Sequence, residues 1–327
     1  MDRLYTYLEK ITINYFSKKK AIKEYNKSKK RTFFSEVISW VDALVFAVFW
    51  VIILNQFIFQ LFVIPTPSMV STLNVGDRLL VSKSSYGIEP YPTGDKLLTG
   101  DRKVQRDDII CFYNPEYDSK GPLFDICSQA LYYATLSLVN IDRKDDGSIA
   151  ERLYVKRAAA VSGDYIKFEN GTSYIKPVGY SDYIREEDFK KANGFNTEFH
   201  KSLDSEYHEG LDSWASLYAM RENGINIQLH PYYDAYSHVE EMGVKDNYSF
   251  DKQVKYVNAL INPMDKNAQS DSGKYCAGIY VPENHILPLG DNRDNSKDGR
   301  YFGPVDQGEI IGKIEFTFWP FNRARIF

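Results

Sequence analysis

From Ala43 to Ile64 the chain runs for 22 residues without an ionisable side chain, and its only side-chain amides there are Asn55, Gln56 and Gln60. A helix of that length matches the roughly 30 Å hydrocarbon core of a bilayer. A helix buried in a soluble domain is rarely apolar on every face for about six turns. A cleaved leader has a shorter apolar core and a shorter basic head than the 37 residues before Ile38. The sequence therefore predicts an uncleaved transmembrane helix over residues 38–64, with Trp40 at an interface and Pro65 and Pro67 stopping the helix at its outer edge.

The flanks give the direction. Residues 1–31 hold ten Lys/Arg against three Asp/Glu, while the rest of the chain holds thirty against forty-one. Lys18, Lys19, Lys20, Lys23, Lys27, Lys29, Lys30 and Arg31 all precede the span, with Glu24 the lone acid among them. The positive-inside rule puts this head, residues 1–37, in the cytoplasm and everything after Pro65 outside, in a single pass through the cytoplasmic (inner) membrane. The lipid bilayer explains the basic stretch, and a nucleic-acid partner is not expected.

The exterior part reads as short strands: Asp77–Ser82, Asp107–Tyr113, Arg152–Val161 and Lys313–Trp319, each β-branched or aromatic and bounded by turn residues. In the last of these, Ile314, Phe316 and Phe318 alternate onto one face. Residues 172–275 differ, being rich in Asp, Glu, Asn, Ser and Tyr with helix-like pieces at Glu186–Ala192 and Ser213–Arg221. They read as an inserted mixed α/β subdomain between two strand-rich parts of one core, 65–171 and 276–327. Three cysteines, Cys111, Cys127 and Cys276, exclude a disulfide framework and are expected as packing thiols.

Three segments carry chemistry. Just past the span stands Ile64-Pro-Thr-Pro-Ser68-Met-Val-Ser-Thr-Leu73. A serine hydroxyl needs a base to attack a carbonyl. An ordinary lysine is neutral in only roughly one part in 10³–10⁴ at pH 7, so a lysine base belongs in an apolar, covered strand. Lys156 fits, in Leu153-Tyr-Val-Lys156-Arg-Ala-Ala-Ala-Val161. The third segment, Gly290-Asp-Asn-Arg-Asp-Asn-Ser-Lys-Asp-Gly-Arg-Tyr-Phe-Gly303, predicts a rigid, self-bonded loop.

Taken in order, these segments resemble bacterial type I signal peptidase (leader peptidase), in patches over residues 38–170 and 276–321; the loop is the most specific match. The resemblance implies a mainly β catalytic domain of antiparallel sheets with a Ser/Lys dyad and no metal or other cofactor. Such an enzyme cuts signal peptides from secreted preproteins after a small-x-small site, near the secretion translocon. By position, Ser68 is the nucleophile and Lys156 the base, with the Ser68 N–H and the Thr66 hydroxyl as oxyanion hole. Ser296 orients the Lys156 amine, and Asp291, Arg293, Asp298 and Arg300 brace the loop. Leu73–Val81 includes an edge strand that receives substrate by β-addition. Three positions depart from the family pattern: Ser71 stands where proline is common, Thr66 supplies the oxyanion hydroxyl, and Gly299 replaces a serine.

Two other readings stand beside this one. His230, Asp234 and His238 are spaced as metal ligands on a helix, although Pro231 argues against a regular one. A membrane-tethered, non-catalytic scaffold on a degenerate peptidase fold is the second; retention of Ser68, Lys156 and Ser296 together argues against it.

Overall fold

The computed structural model describes residues 17–20, 33–89, 96, 103–135, 138–195, 197, 199–228, 230, 231, 239 and 243–327. Most of the basic head and the Asp234 and His238 positions lie outside these. Helix α1, Phe33–Phe57, is long and apolar enough to cross a membrane. It ends at Phe57, short of the expected Ile64, and neither Pro65 nor Pro67 stops it. Phe59–Val63 is instead strand β1, paired antiparallel with β2, Arg78–Ser82, from Phe59↔Ser82 to Val63↔Arg78. The β-branched and aromatic run from Phe57 to Val63 suits either state, and apolar periodicity alone does not separate them. The strand prevails because β2 completes its backbone bonds, while the Asn55 side chain accepts from Leu61 N–H at 3.0 Å.

The residues from Ile52 to Phe327 form one compact unit. Its main sheet adds β3 (Ile109–Tyr113), β4 (Leu153–Val161), β9 (His285–Leu289), β10 (Val305–Asp306), β11 (Ile310–Trp319) and β12 (Arg325–Ile326). All neighbours are antiparallel, in the order β1-β2-β11-β3-β4-β9-β10, with β12 on β11. Strand β2 therefore lies inside the sheet between β1 and β11, so the expected edge strand is β1 instead. The core between these strands includes Phe62, Ile64, Met69, Leu79, Val81 and Ile314. Each such side chain contributes roughly 1.5–3 kcal/mol through burial. The alternation expected in β11 is broken by register shifts after Ile314 and after Thr317. A bulge moves the following residues to the other face, so Ile314 and Thr317 are buried while Phe316 and Phe318 are half-exposed.

A second antiparallel sheet runs β7-β6-β5-β8, from β5 (Tyr165–Glu169), β6 (Thr172–Lys176), β7 (Ile184–Arg185) and β8 (Ile279–Tyr280). Asn170 and Gly171 join β5 to β6 with φ of +46° and +67°, a two-residue turn whose twist suits the hairpin. The boundary drawn at residue 172 thus cuts a hairpin: β6 and β7 belong with β5. The remaining described residues of 172–275 are mainly helical, with α3 (Glu186–Ala192), α4 (Ser205–Glu222) and α5 (Asn247–Ile261) followed by α6 (Lys266–Ala277); α2 (Pro122–Ala134) lies earlier, between β3 and β4.

Candidate active site

Ser68 sits in a short 3₁₀ turn, Pro67–Met69, entered from an extended Thr66. Pro67 presets the turn, and Met69, only 1% exposed, anchors it in the core. The Asn292 side-chain amide donates to Pro67 O at 3.1 Å and its backbone N–H to Ser68 O at 3.0 Å, so the third segment holds the serine turn directly. Thr66 Oγ1 lies 3.4 Å from Ser68 Oγ.

Lys156 occupies the middle of β4, whose residues Tyr154–Ala160 are all buried. Its Nζ donates to Ser68 Oγ at 2.6 Å, across 88 residues of sequence. Burial pushes its pKa down to about 8, although Asp298, Glu151 and Asp291 pull the other way. A lysine at that value is neutral in roughly one molecule in ten at pH 7, against about one in several thousand for an ordinary one. The face of Tyr154 lies 5.2 Å from Nζ.

The loop from Gly290 is braced by buried ion pairs that reach beyond it. Arg157, next to Lys156, makes a two-pronged contact with Asp291 at 2.8 and 2.7 Å and also pairs with Asp107 at 3.2 Å. Burial alone would raise the Asp291 carboxyl, but Arg157 overrides it and holds the pKa below the usual carboxylate range. Arg293 grips Glu186 of α3 at 2.7 and 3.0 Å, tying the loop to the inserted segment. Asp298 accepts from Gly290 N–H at 2.9 Å and pairs with Arg300, which donates to Arg293 O and Ser296 O. Against burial, Arg300 likewise keeps the Asp298 pKa low.

Ser68, Thr66, Lys156 and the loop come together; one expected contact is not made. Ser296 Oγ is shielded from solvent and has no hydrogen-bond partner among the described residues, so its bond to Lys156 is absent here. It packs instead against Gly290, where an added Cβ would overlap Ser296 Oγ and lie 2.6 Å from Ser68 O. Arg157 and Glu186 were given no role by sequence, nor were Gly290 and Asn292 within the loop segment; for Arg157 the signal was adjacency to Lys156. All three cysteines are free, and Cys111 is buried, with its thiol pushed up to about 12 by desolvation. No His/Cys/Asp/Glu group suited to a metal occurs among the described residues.

Beside the pair lies a cavity of about 20 Å³, bounded by Phe62, Ile64, Met69, Leu153, Val155 and the Ser68–Lys156 contact. It has room for about one water-sized group. Phe62, Pro65, Thr66, Glu151 and Leu153 also line a larger groove of about 660 Å³.

The sequence profile described as signal peptidase, peptidase S26, matches residues 37–319. The chain belongs to that family. Among its relatives are signal peptidase I of Buchnera aphidicola subsp. Acyrthosiphon pisum, 28% identical over 95% of this chain and 85% of the relative; signal peptidase I of Haemophilus influenzae, 26% identical over 87% and 70%; and signal peptidase IB of Staphylococcus aureus, 23% identical over 89% and 93%. Membership in the signal peptidase family makes the chain a serine peptidase of the signal-peptide-processing class.

Proposed function

We propose that this signal peptidase removes N-terminal signal peptides from exported preproteins by Ser/Lys acyl transfer after a small-x-small site. The observation that carries the reading is the buried 2.6 Å contact between Lys156 Nζ and Ser68 Oγ. With the amine neutral, the contact runs in the opposite sense: Ser68 O–H donates to Nζ. Ser68 Oγ attacks the scissile carbonyl carbon as its proton passes to Lys156. The oxyanion takes hydrogen bonds from Thr66 O–H and Ser68 N–H. When the C–N bond breaks, the Lys156 proton goes to the leaving amine, and a water deprotonated by the same lysine hydrolyses the ester. Ser296 stands close enough to the Ser68 turn, through Gly290, to orient the lysine once substrate is bound.

The 20 Å³ cavity supports alanine-sized selectivity, since a leucine side chain would overlap Phe62 or Met69. The segment before the cut adds as a strand along β1. The N-terminus is cytoplasmic and the peptidase faces outward, on the lipid surface and near the secretion translocon, which delivers the preproteins.

The test is cleavage of a preprotein carrying an Ala-x-Ala site by full-length protein in detergent, with and without a chelator. Chelator-insensitive cleavage, lost when the alanine before the cut becomes leucine, is expected. Absence of cleavage would favour the non-catalytic scaffold, and chelator-sensitive cleavage a metal-dependent site elsewhere.

A further inference from the structure

The edge of β1 that faces away from β2 is interrupted, and the interruption comes from α1. Backbone groups of alternate residues in a strand point to opposite sides. Ile58 O accepts from Lys83 N–H, Ile64 N–H donates to Asp77 O, and Ile64 O accepts from Gly76 N–H, so the even-numbered residues face β2 and the turn leading into it. Phe59, Leu61 and Val63 therefore face the edge away from β2. On that edge Leu61 N–H is already taken: the side chain of Asn55, 3% exposed, accepts from it at 3.0 Å. A strand laid along β1 from the Ser68 end meets Val63 with its backbone groups presented outward, then meets the Asn55 amide in the place its next carbonyl would occupy.

We infer that Asn55 ends the β-paired segment of the substrate, and so sets how many residues before the cut are read through their backbone. The inference rests on the peptidase reading above. From Pro65 to Leu61 is a rise of four residues, which corresponds to about four substrate residues in extended pairing. Beyond that point the substrate leaves β1 and enters the 660 Å³ groove, which continues from the small cavity and is walled by Phe62, Tyr132, Leu138, Val139 and Ile149, with Gln60 and Gln129 in its lining. Side-chain size and polarity, rather than backbone bonds, govern recognition there. Asn55 is also one of only three amides in the apolar run, and this assignment gives it a task that spanning a bilayer does not.

A proline scan tests the stop. Peptides with an Ala-x-Ala site carry a single proline at successive positions from the second to the eighth residue before the cut, and kcat/KM is measured with full-length protein in detergent. Wild type is expected to lose about fivefold or more per lost backbone bond near the cut and to be indifferent beyond about the fourth residue. Asn55→Ala removes the Asn55 oxygen that accepts from Leu61 N–H, and the sensitive zone of the variant is expected to extend outward by about two positions. Asn55→Asp keeps the acceptor and is expected to retain the wild-type limit. Wild-type sensitivity running evenly past the sixth position would overturn the inference without any variant. Identical limits in wild type and a folded Asn55→Ala would overturn it too, while leaving the peptidase reading intact. No cleavage of any peptide by wild type would overturn both.

Discussion

Lys156 and Lys83 differ in almost nothing that a titration would notice. They are 3% and 2% exposed, and burial lowers the pKa of each to about 8. Their surroundings differ. Lys156 Nζ meets Ser68 Oγ at 2.6 Å beside a cavity that opens into a groove. Lys83, just past the end of β2, donates to Gln56 O at 3.3 Å and to the Tyr133 hydroxyl at 3.2 Å, with that hydroxyl bonded on to Gln60 and Gln129. Burial thus depresses both lysines alike, and of the two Lys156 is the one placed against a serine hydroxyl. On the proposed reading geometry selects the base, and the shifted pKa then lets it work near neutrality.

The sharpest way to break this comparison is to remove each member in turn. Ser68→Ala and Lys156→Ala are each expected to lower kcat by at least about 10⁴-fold on an Ala-x-Ala preprotein. Residual cleavage within tenfold of wild type in either would move the chemistry elsewhere. A smaller effect tests the packing that aims the serine. Gly290→Ala is expected to displace Ser296 and the Ser68 backbone and to cost about 10²-fold in kcat/KM, with a folded protein by circular dichroism. An unchanged rate would mean that the close approach at Gly290 does not matter to alignment.

Lys83→Met sharpens the comparison from the other side, with kcat/KM expected to stay within about threefold. Stability carries the signature instead. The folded pKa of Lys83 lies below its ordinary 10.5, so between about pH 8 and 10.5 the unfolded chain binds more protons and stability rises with pH. Below about pH 8 folding bears the full cost of the buried amine. The methionine variant has no such term, so its advantage at pH 7 is expected to shrink by about 3 kcal/mol by pH 11, read from denaturant unfolding. A gap that does not vary with pH would mean that Lys83 is not desolvated.

Much of this was legible in the residues. The strand around Lys156 announced itself by its apolar run, and the serine turn by Pro67 and its place before the first strand of the expected order. Apolarity alone could not show where α1 ends, because Phe59–Val63 satisfies a helix, a strand and a bilayer equally. The Asn55 side chain and the pairing with β2 decide that, and neither contact is written in the apolar pattern. The bulges of β11 were invisible for a related reason: alternation in sequence fixes faces only while the register is unbroken. Asp291 and Arg293 could be read as bracing residues, but their partners, Arg157 and Glu186, lie more than a hundred residues away. The bond from Ser296 to Lys156, which the family resemblance implied, is not made.

The pH dependence of kcat/KM for wild type beside Lys83→Met tests most directly that Lys156 is the base. Both are expected to rise with pH to a plateau through one midpoint near pH 8, the same in the two proteins. A midpoint near the ordinary histidine value of about 6.5, or one that moves when Lys83 is replaced, would contradict the assignment.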